Sequence, residues 1–398
     1  MRAAPSPSAV RSRTSLAFTA AAAEGRLSLQ RCRTCNGVCY PARDACPRCW
    51  SPDLRWVDIP DGGVLLTEST LYSSFNPYFQ ARLPWRVGTV RLDAGPVVLA
   101  HIHGAVPDRG RVRMIARTDN SGQGVLMALP DREVPNVTED RQLRTLTCDP
   151  RDRNVLITDA SGAVGRAVAE AVAAAGAARV YAGIVGDGKS ASDRERLEAI
   201  PGVEPVALDA DDDGSIAGLS AAIGGNTDIL IHTACLVRPG AAIGSPDIAS
   251  ARDEMEVNYF RLLRLIRGFG PTLRDRVPDA DTGLRAWVNL LSVYALSGGG
   301  ACGTSAASQA AAWSLSRALR AELAGSGVKV INVLSGPLDD AWNRSLPLPK
   351  AKPSQVAAAT VAALQEGLEN VAVGPVAEDI LQRYREDRMA LERDSGRP

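Results

Sequence analysis

The stretch NVLITDASGAVGRAVAEAVAAAGA, residues 154–177, decides the fold of the larger part of this chain. A run of branched apolar residues precedes a turn of small residues, and an alanine-rich segment, 165–176, follows the turn. This pattern predicts a strand, a tight turn and a helix. The first amides of a helix and its positive dipole end favour an anion such as a pyrophosphate. Glycines suit such a turn because a Cβ would hinder both the bend and the approach of the ligand.

The same alternation continues toward the end of the chain. Further strand-like runs are RVYAGIV, EPVALDA, DILIHTA, AWVNLLS and VKVINVLSG. Strands that alternate with helices predict a parallel, doubly wound sheet. We therefore assign residues 151–398 to one α/β domain.

The residues before this domain differ from it in composition and in hydrophobic pattern. Residues 27–135 are rich in Gly, Pro, Val and aromatic residues, with alternating runs such as RVGTVRL that are typical of short strands. The chain is therefore predicted to be multidomain. Its predicted parts are a tail with a short helix (1–26), a cysteine-rich ribbon (27–52), a small β-domain (53–135), a polar linker (136–150) and the α/β domain (151–398).

Composition excludes several classes of protein. The chain has 398 residues, 45% of them hydrophobic, which is enough for two or three packed domains. Its 45 Lys+Arg balance 45 Asp+Glu, which argues against a basic protein that coats nucleic acid. No run approaches the ~20 apolar residues of a membrane span. The segment SLAFTAAAA has only two strongly apolar residues, which favours a helix over a signal peptide, and we expect a cytoplasmic protein.

Five of the eight cysteines lie between Cys32 and Cys49. Cys32, Cys35, Cys46 and Cys49 form two CxxC pairs with ten residues between them. Such pairs place four thiolates around one tetrahedral Zn²⁺ and leave no position open for a substrate. The sequence therefore predicts a structural zinc site that supplies folding free energy to the ribbon. Cys39 is a fifth thiol, which we interpret as a half-buried residue rather than a ligand.

The N-terminal residues around this site resemble a known family. EGRLSLQRCRTCNGVCYPARDACPRCWSPDLRWVDIPDGGVLLTEST and LPWRVGTVRLDAGPVVLAHIHG are similar to the zinc-ribbon plus OB-fold proteins that accompany thiolases and other acyl-CoA-processing enzymes. The resemblance covers about residues 15–130. It implies a rubredoxin-like ribbon on a five-stranded OB barrel, which places the OB-fold at 53–135. It also implies a thiolase-like or ketosynthase-like partner and an acyl-CoA thioester.

Candidate contacts with the acyl-CoA are Arg82 and Arg86, through the CoA phosphates. The neighbouring aromatic residues are expected to line an acyl channel or a partner surface; the alternatives are that they fill the barrel or stack on single-stranded nucleic acid. Between residues 55 and 130, eight Arg face six Asp+Glu, which is a weak field for a phosphate backbone. The aromatic residues concerned are Tyr72, Phe75, Tyr78, Phe79 and Trp85.

Residues 151–395 resemble the short-chain dehydrogenase/reductase family, whose fold is Rossmann-like. The landmarks occur in order: the turn after NVLIT, the acidic end of LDADDD, DILIHTAC, EVNYF, WVNLLS and VINVLSGP. The resemblance implies NAD(P) as cofactor. The candidate cofactor-binding residues are Thr158, Ser161, Gly162, Gly165 and Asp209, of which Thr158 and Gly165 are retained from the family's turn. Asn258 and Ser292 are retained in their landmarks, and Gly336 lies in the last one.

The cofactor motifs depart from the family pattern. The first glycine of the usual turn is Asp159, whose carboxylate would crowd and repel a pyrophosphate by several kcal/mol. The second glycine is Ala163, which is a mild change. The family's Asn-Asn-Ala-Gly is replaced by residues 232–235, and Val185 stands where NADP-using relatives often carry Arg. These departures argue against binding of NAD(P).

The catalytic residues depart as well. The family uses a Tyr whose phenol transfers a proton, a Lys that lowers the pKa of that phenol, and a Ser that orients the carbonyl. Ser292 fits the serine, but Ser305 occupies the tyrosine position and Gln309 the lysine position. A serine hydroxyl is a far weaker acid than a phenol, and glutamine has no charge. The sequence therefore predicts a degenerate reaction centre.

Three substitutes for the missing groups are open. Tyr294 offers a phenol at the wrong spacing and without a lysine. His232 and Cys235 would form a nucleophile pair, although substitution within a decayed motif is the simpler explanation. Cys302 is a candidate reactive thiol in a glycine-rich loop.

These observations predict an auxiliary subunit without oxidoreductase activity of its own. Its ribbon and barrel would bind the partner and its acyl-CoA, and its reductase-like domain would dock to itself or to another protein through the helices that follow Glu254 and Ser305. The alternative is an active NAD(P)-dependent oxidoreductase that acts on a CoA-linked ketone or alcohol. A third hypothesis is a nucleic-acid-binding or scaffold module.

Overall fold

The structure is a computed structural model of the chain. It describes residues 7, 12–185, 191–238, 240, 242–243, 247–276, 283–298, 302–339, 343–344 and 349–394. A zinc-ribbon sheet, a closed β-barrel and a parallel α/β sheet follow one another along the chain, as the sequence predicted.

The N-terminal part consists of one helix and a three-stranded sheet. Helix α1 (Leu16–Ala23) buries Phe18 and three alanines against the barrel. The strand order is β2-β1-β3, and both pairings are antiparallel. The strands are β1 (Ser28–Cys32), β2 (Val38–Cys39) and β3 (Leu54–Asp58).

The barrel closes in the order β4-β5-β6-β8-β7, with the single parallel pairing between β6 and β8. Its core consists of apolar residues from alternate strand positions, among them Leu65, Val90, Ile102 and Met114. Gly88 lies where a Cβ would approach the Thr67 carbonyl to 2.7 Å. The elements are β4 (Gly62–Leu71), α2 (Pro77–Gln80), β5 (Trp85–Leu92), β6 (Val97–Ile102), β7 (Gly110–Thr118), β8 (Gly124–Pro130) and, after the barrel, α3 (Arg141–Arg144).

The C-terminal sheet has seven parallel strands in the order β11-β10-β9-β12-β13-β14-β15. Its first half contains β9 (Asn154–Ile157), α4 (Ala163–Ala174), β10 (Arg179–Ile184), α5 (Ala191–Glu198), β11 (Val203–Ala207), α6 (Asp213–Ile223) and β12 (Ile229–His232). Its second half contains α7 (Ala249–Met255), α8 (Arg261–Asp275), β13 (Arg285–Ser292), α9 (Tyr294–Ser297), α10 (Gly303–Glu322), β14 (Val328–Ser335), α11 (Pro353–Glu366), β15 (Asn370–Val373), α12 (Pro375–Glu386) and α13 (Arg388–Asp394).

Helices cover both faces of this sheet, so its strands consist mainly of apolar residues. One core contains α4 and α11, and the other contains α8 and α10. Trp287 is the largest fully buried side chain, and its indole N–H donates to Asn289 Oδ1 at 2.8 Å. The carboxyl ends of the strands and the start of α4 form one edge of the sheet, where ligands bind in open α/β folds.

The segment 136–150 packs closely against both halves of the molecule, although its composition predicted a polar linker. It contains α3, and Leu143 and Leu146 are buried against the barrel strands. Gln142 accepts a hydrogen bond from the Arg86 amide at 2.8 Å and donates one to the Arg86 carbonyl at 2.9 Å. The composition of the segment did not indicate this packing, because few of its residues are apolar.

Lys329 joins the two halves. Its buried ammonium donates to the carbonyls of Thr118 in the barrel, Leu146 in the connecting segment and Gly367 in the α/β domain, at 3.1, 3.1 and 2.9 Å. Burial lowers the pKa of this ammonium. In addition, Glu369 donates its amide to the Ala23 carbonyl at 2.7 Å. The barrel and the α/β domain are therefore in direct contact.

No helix among the described residues is long and apolar enough to cross a bilayer.

Candidate functional site

The four CxxC cysteines come together at the tip of the ribbon. Their sulfur atoms all lie within 4.8 Å of one another, with Cys32 Sγ 3.6 Å from Cys49 Sγ and Cys35 Sγ 3.5 Å from Cys46 Sγ. Zn–S bonds of about 2.3 Å give S···S edges of about 3.8 Å in a tetrahedron, so the four atoms fit one Zn²⁺. The Arg48 amide contacts Cys46 Sγ at 3.4 Å, and backbone amides lower the pKa of Cys46 to about 6, which favours the ligating thiolate.

Cys39 is buried but lies outside this set of four. Its Sγ points toward the Gly37 carbonyl at 3.9 Å, and burial raises the pKa of the thiol. It is a packing residue of the ribbon.

The two arginines expected at CoA phosphates have internal partners. Arg82 is buried, stacks over the Tyr78 ring at 3.9 Å and donates to the Tyr78 carbonyl. Arg86 donates to the carbonyls of His103, Gly104 and Val106 and pairs with Glu68. These contacts argue against the expected phosphate contacts and give both residues a structural role.

The barrel aromatics divide into two groups. Trp85 and Tyr78 are buried, and Phe79 packs edge-on against Trp85 with ring centroids 5.2 Å apart. These rings line a cavity of about 220 Å³. Tyr72 and Phe75, by contrast, are among the most exposed apolar side chains described. Core filling and surface exposure therefore both occur in the cluster.

A second cavity, of about 400 Å³, lies at the carboxyl edge of the parallel sheet. The turn before α4, the end of β12, the start of α9 and the segment after β14 surround it. Asp159 is the only charged residue among its described lining residues. The sequence-predicted residues that line this cleft are Gly162, Gly165, Ser292, Tyr294, Cys235 and Gly336.

Asp159 occupies the anion-binding turn. Its Oδ1 accepts the Ser161 amide at 3.2 Å, and burial raises the pKa of the carboxyl. Gly165 is required here, because a Cβ would lie 2.0 Å from the Asp159 carbonyl. An amide at the start of this turn is thus bonded to a side chain of the turn itself.

Ser305, at the tyrosine position, is buried and does not line the cleft. Its hydroxyl accepts the Arg238 amide at 2.8 Å and donates to Glu254 Oε1 at 2.6 Å. Glu254 is also buried. The hydroxyl thereby fixes the segment after β12 to α7 and α10.

Gln309, at the lysine position, is equally engaged. Its Oε1 accepts the Ser292 amide at 2.9 Å, and its Nε2 donates to Cys235 Sγ at 3.3 Å. Ser292 Oγ in turn accepts the Tyr294 amide at 3.3 Å. The glutamine therefore holds two walls of the cleft together without supplying a charge.

Asn258 lies in a π-helical turn, Glu256–Phe260, between α7 and α8. Its side chain bonds both the amide and the carbonyl of Leu236 at 2.7 Å and donates to Ser308 at 2.8 Å. The Asn258 side chain thus holds the segment after β12 in place by bonding the backbone of Leu236.

The substitutes also have definite positions. His232 Nδ1 lies 3.0 Å from Thr158 Oγ1, and burial lowers the pKa of His232 to about 4. Cys235 instead contacts Gln309, which gives the two residues separate local partners. Cys302 is buried, and desolvation raises the pKa of its thiol. Tyr294 lines the cleft, and burial raises the pKa of its phenol.

The sequence does not indicate the role of two further charged residues, Glu254 and Arg261. Glu254 precedes a predicted helix, and no motif indicates that its carboxylate is buried. Arg261 makes a two-pronged pair with Asp211, with Nε 2.7 Å from Oδ1. Asp209 lies beside this pair and accepts the Asp211 amide at 2.9 Å. No local pattern distinguishes these residues from ordinary surface charges.

Comparison with known proteins agrees with this geometry. Residues 19–55 match the family described as the ChsH2 rubredoxin-like zinc ribbon domain, and 56–117 match the ChsH2 C-terminal OB-fold domain. Residues 153–349 match the short chain dehydrogenase family.

Individual relatives each cover only a part of the chain. A 1-deoxy-11-beta-hydroxypentalenate dehydrogenase of Streptomyces avermitilis is 30% identical over 202 residues, which are 49% of this chain and 72% of that protein. A solved short chain dehydrogenase of Burkholderia cenocepacia, in complex with NADP, is 33% identical with a TM-score of 0.55, over 63% of this chain and all of that chain. A probable enoyl-CoA hydratase alpha subunit of Thermomonospora curvata is 29% identical over 94 residues, which are 24% of this chain and 29% of that protein.

A zinc ribbon and an OB barrel of the ChsH2 type therefore precede an α/β domain that is similar to dehydrogenases in both sequence and fold. The chain belongs to the short-chain dehydrogenase family, with a ChsH2-type ribbon and barrel fused at its N-terminal side.

Proposed function

We propose that this protein is an auxiliary acyl-CoA-associated subunit that has no oxidoreductase activity of its own. The proposal rests on the residues that occupy the tyrosine and lysine positions of the family's proton relay, Ser305 and Gln309. Ser305 and Gln309 are both buried, and their polar atoms bond to Arg238, Glu254, Ser292 and Cys235. Neither can act as a phenol or an ammonium.

The ribbon and barrel support the acyl-CoA assignment through their family. The match to ChsH2-type domains supports the assignment together with one relative of this chain whose name refers to an acyl-CoA, a probable enoyl-CoA hydratase alpha subunit. In this proposal a thiolase-like or ketosynthase-like protein is the partner, and the reductase-like domain docks through α8 and α10. The exposed alanines Ala307 and Ala310 on α10 permit close approach of another helix.

Binding of NADPH, followed by fluorescence or calorimetry, tests the first half of the proposal. We expect no binding at millimolar concentration and no oxidation of NADPH in the presence of acetoacetyl-CoA. Micromolar binding with steady turnover would overturn it. Purification from the source cells, with the co-eluting proteins identified by mass spectrometry, tests the second half, for which a thiolase-fold or ketosynthase-fold protein is expected.

An active NAD(P)-dependent oxidoreductase is the second candidate. Tyr294 favours it, because this phenol lines the same cleft as Ser292. The dehydrogenase relatives and the NADP complex of one of them favour it as well. If it is correct, Tyr294→Phe abolishes a measurable NADPH-dependent reduction, whereas Tyr259→Phe, on the π-helical turn outside the cleft lining, leaves it intact.

A further inference from the structure

The contact between the two halves of the chain encloses a third cavity, of about 510 Å³. Helix α1 and the turn between β7 and β8 form one side, and α10 with the start of β14 forms the other. The cavity requires the fusion, because neither half forms it alone. Its apolar lining includes Leu16, Ala20, Ala23, Ala321, Ala324 and Val328.

Most charged groups in this cavity are already paired. Glu24 pairs with Arg26 and Arg385, and Glu369 pairs with Arg320. Lys329, as described above, donates to three carbonyls. These groups hold the two halves together and have little capacity left for a ligand.

Asp119 also lines the cavity, and its Oδ1 accepts the amides of Ser121 and Gln123. Two further polar side chains, Arg317 and Asn120, keep hydrogen-bonding capacity. Arg317 is exposed, lines the cavity and makes no hydrogen bond or ion pair with the described residues. Asn120 also lines the cavity and is only 7% exposed, yet its Oδ1 has no hydrogen-bond partner in the described part of the chain. A buried acceptor without a donor destabilises the fold unless water or a ligand supplies a donor.

The cavity is therefore lined by an exposed cation, a buried unsatisfied acceptor and several apolar side chains. We propose that it binds a slender ligand with an anionic group at one end and an amide or hydroxyl donor further along. The phosphopantetheine arm of CoA has this chemistry, with a phosphate at one end and amide N–H groups along an aliphatic chain. The choice of CoA rests on the proposed function; the ligand class rests on the cavity. Arg317 would then contact the CoA phosphate, which is the role that the sequence predicted for Arg82 and Arg86.

Calorimetric titration of the full-length protein with CoA tests the inference. We expect saturable binding by the wild type and at least tenfold weaker binding by Arg317→Gln. Pantetheine, which lacks the phosphate, should bind both proteins equally, since Arg317 acts on the phosphate. Arg267→Gln is the control, because Arg267 is an exposed arginine of α8 that the lining of this cavity does not include.

Asn120→Ala should weaken the binding of CoA and pantetheine alike, because the donor that its Oδ1 accepts is common to both. Unchanged melting temperatures would show that the variants fold. If the wild type binds no CoA at millimolar concentration, or if Arg317→Gln and Asn120→Ala bind CoA as well as the wild type does, the inference is wrong.

This result is independent of the cofactor test. If NADPH turnover is found while Arg317→Gln still weakens CoA binding, the auxiliary function fails and the cavity stands. If CoA binds but both variants match the wild type, the cavity fails and the auxiliary function is unaffected.

Discussion

Ser305 donates a hydrogen bond of 2.6 Å to the carboxylate of Glu254, and neither residue lines the cleft at the carboxyl edge of the sheet. A family position that normally faces the reacting atoms is here part of the interior, where it joins α10 to α7. The serine at this position is thus held by internal contacts with Glu254 and Arg238.

Replacement of Ser305 by alanine should destabilise the α/β domain. The Glu254 carboxylate and the Arg238 amide would each lose a partner, which destabilises a buried site by about 1–3 kcal/mol. Urea unfolding measures the loss. Ser314→Ala, on an exposed position of the same helix, should change the free energy of unfolding by less than about 0.5 kcal/mol. Equal stability of the two variants would contradict the structural role.

Asp159→Gly should restore affinity for NADPH. The variant frees the Ser161 amide and removes a carboxylate whose repulsion of a phosphate amounts to several kcal/mol at intermediate dielectric. Fluorescence titration should show a gain of at least tenfold over the wild type, with Asp159→Asn between the two. No gain in either variant would mean that other departures, such as Gln309, control cofactor binding.

His232 should make the protein sensitive to acid. Its pKa is about 4 in the folded state and about 6.5 when unfolded, so only the unfolded state takes up the proton between these values. Stability is full above pH 6.5 and falls as the pH drops toward 4, by about 2 kcal/mol at pH 5. His232→Asn, which restores the family residue, should lose less stability than the wild type between pH 7.5 and pH 5 in urea unfolding.

Lys329→Met should destabilise the contact between the barrel and the α/β domain. It leaves three buried carbonyls without their common donor, which we expect to lower the free energy of unfolding by about 3 kcal/mol or more. Lys352→Met replaces an exposed lysine and is the control. Thermal unfolding distinguishes them, and similar melting temperatures would refute a joining role for Lys329.

The zinc content should depend on four cysteines and not on the fifth. Cys46→Ser should abolish the single bound zinc and unfold the ribbon, whereas Cys39→Ser should retain one zinc per chain. Metal analysis of the purified proteins by mass spectrometry gives the count. Loss of zinc from Cys39→Ser with retention in Cys46→Ser would reverse the assignment.

The sequence predicted what short spacings and long periodic patterns determine. Two CxxC pairs specified the zinc ligands, and the alternation of strands and helices specified the parallel sheet. The prediction that Ser305 and Gln309 replace the family's tyrosine and lysine rests on counting thirteen residues from Ser292 and then four more.

Pairings between distant residues were not predictable in this way. Nothing in the sequence near Arg86 indicates that this side chain donates to the carbonyls of His103 and Val106. Lys329 is one of only four lysines, yet nothing near it indicates that residues 183 and 211 positions away supply its partners. Such contacts depend on tertiary structure, and no local propensity encodes them.

The Glu369 amide donates to the Ala23 carbonyl, so the end of α1 is bonded to the residue that precedes β15. This contact constrains how such a gene can be rearranged. If the barrel and the reductase half were made as separate chains, the start of β15 would lose its contact with α1. The Lys329 ammonium would lose the Thr118 carbonyl as an acceptor. Separately expressed halves should thus aggregate or need co-expression, and an evolutionary split of the fusion would require compensating changes on both fragments.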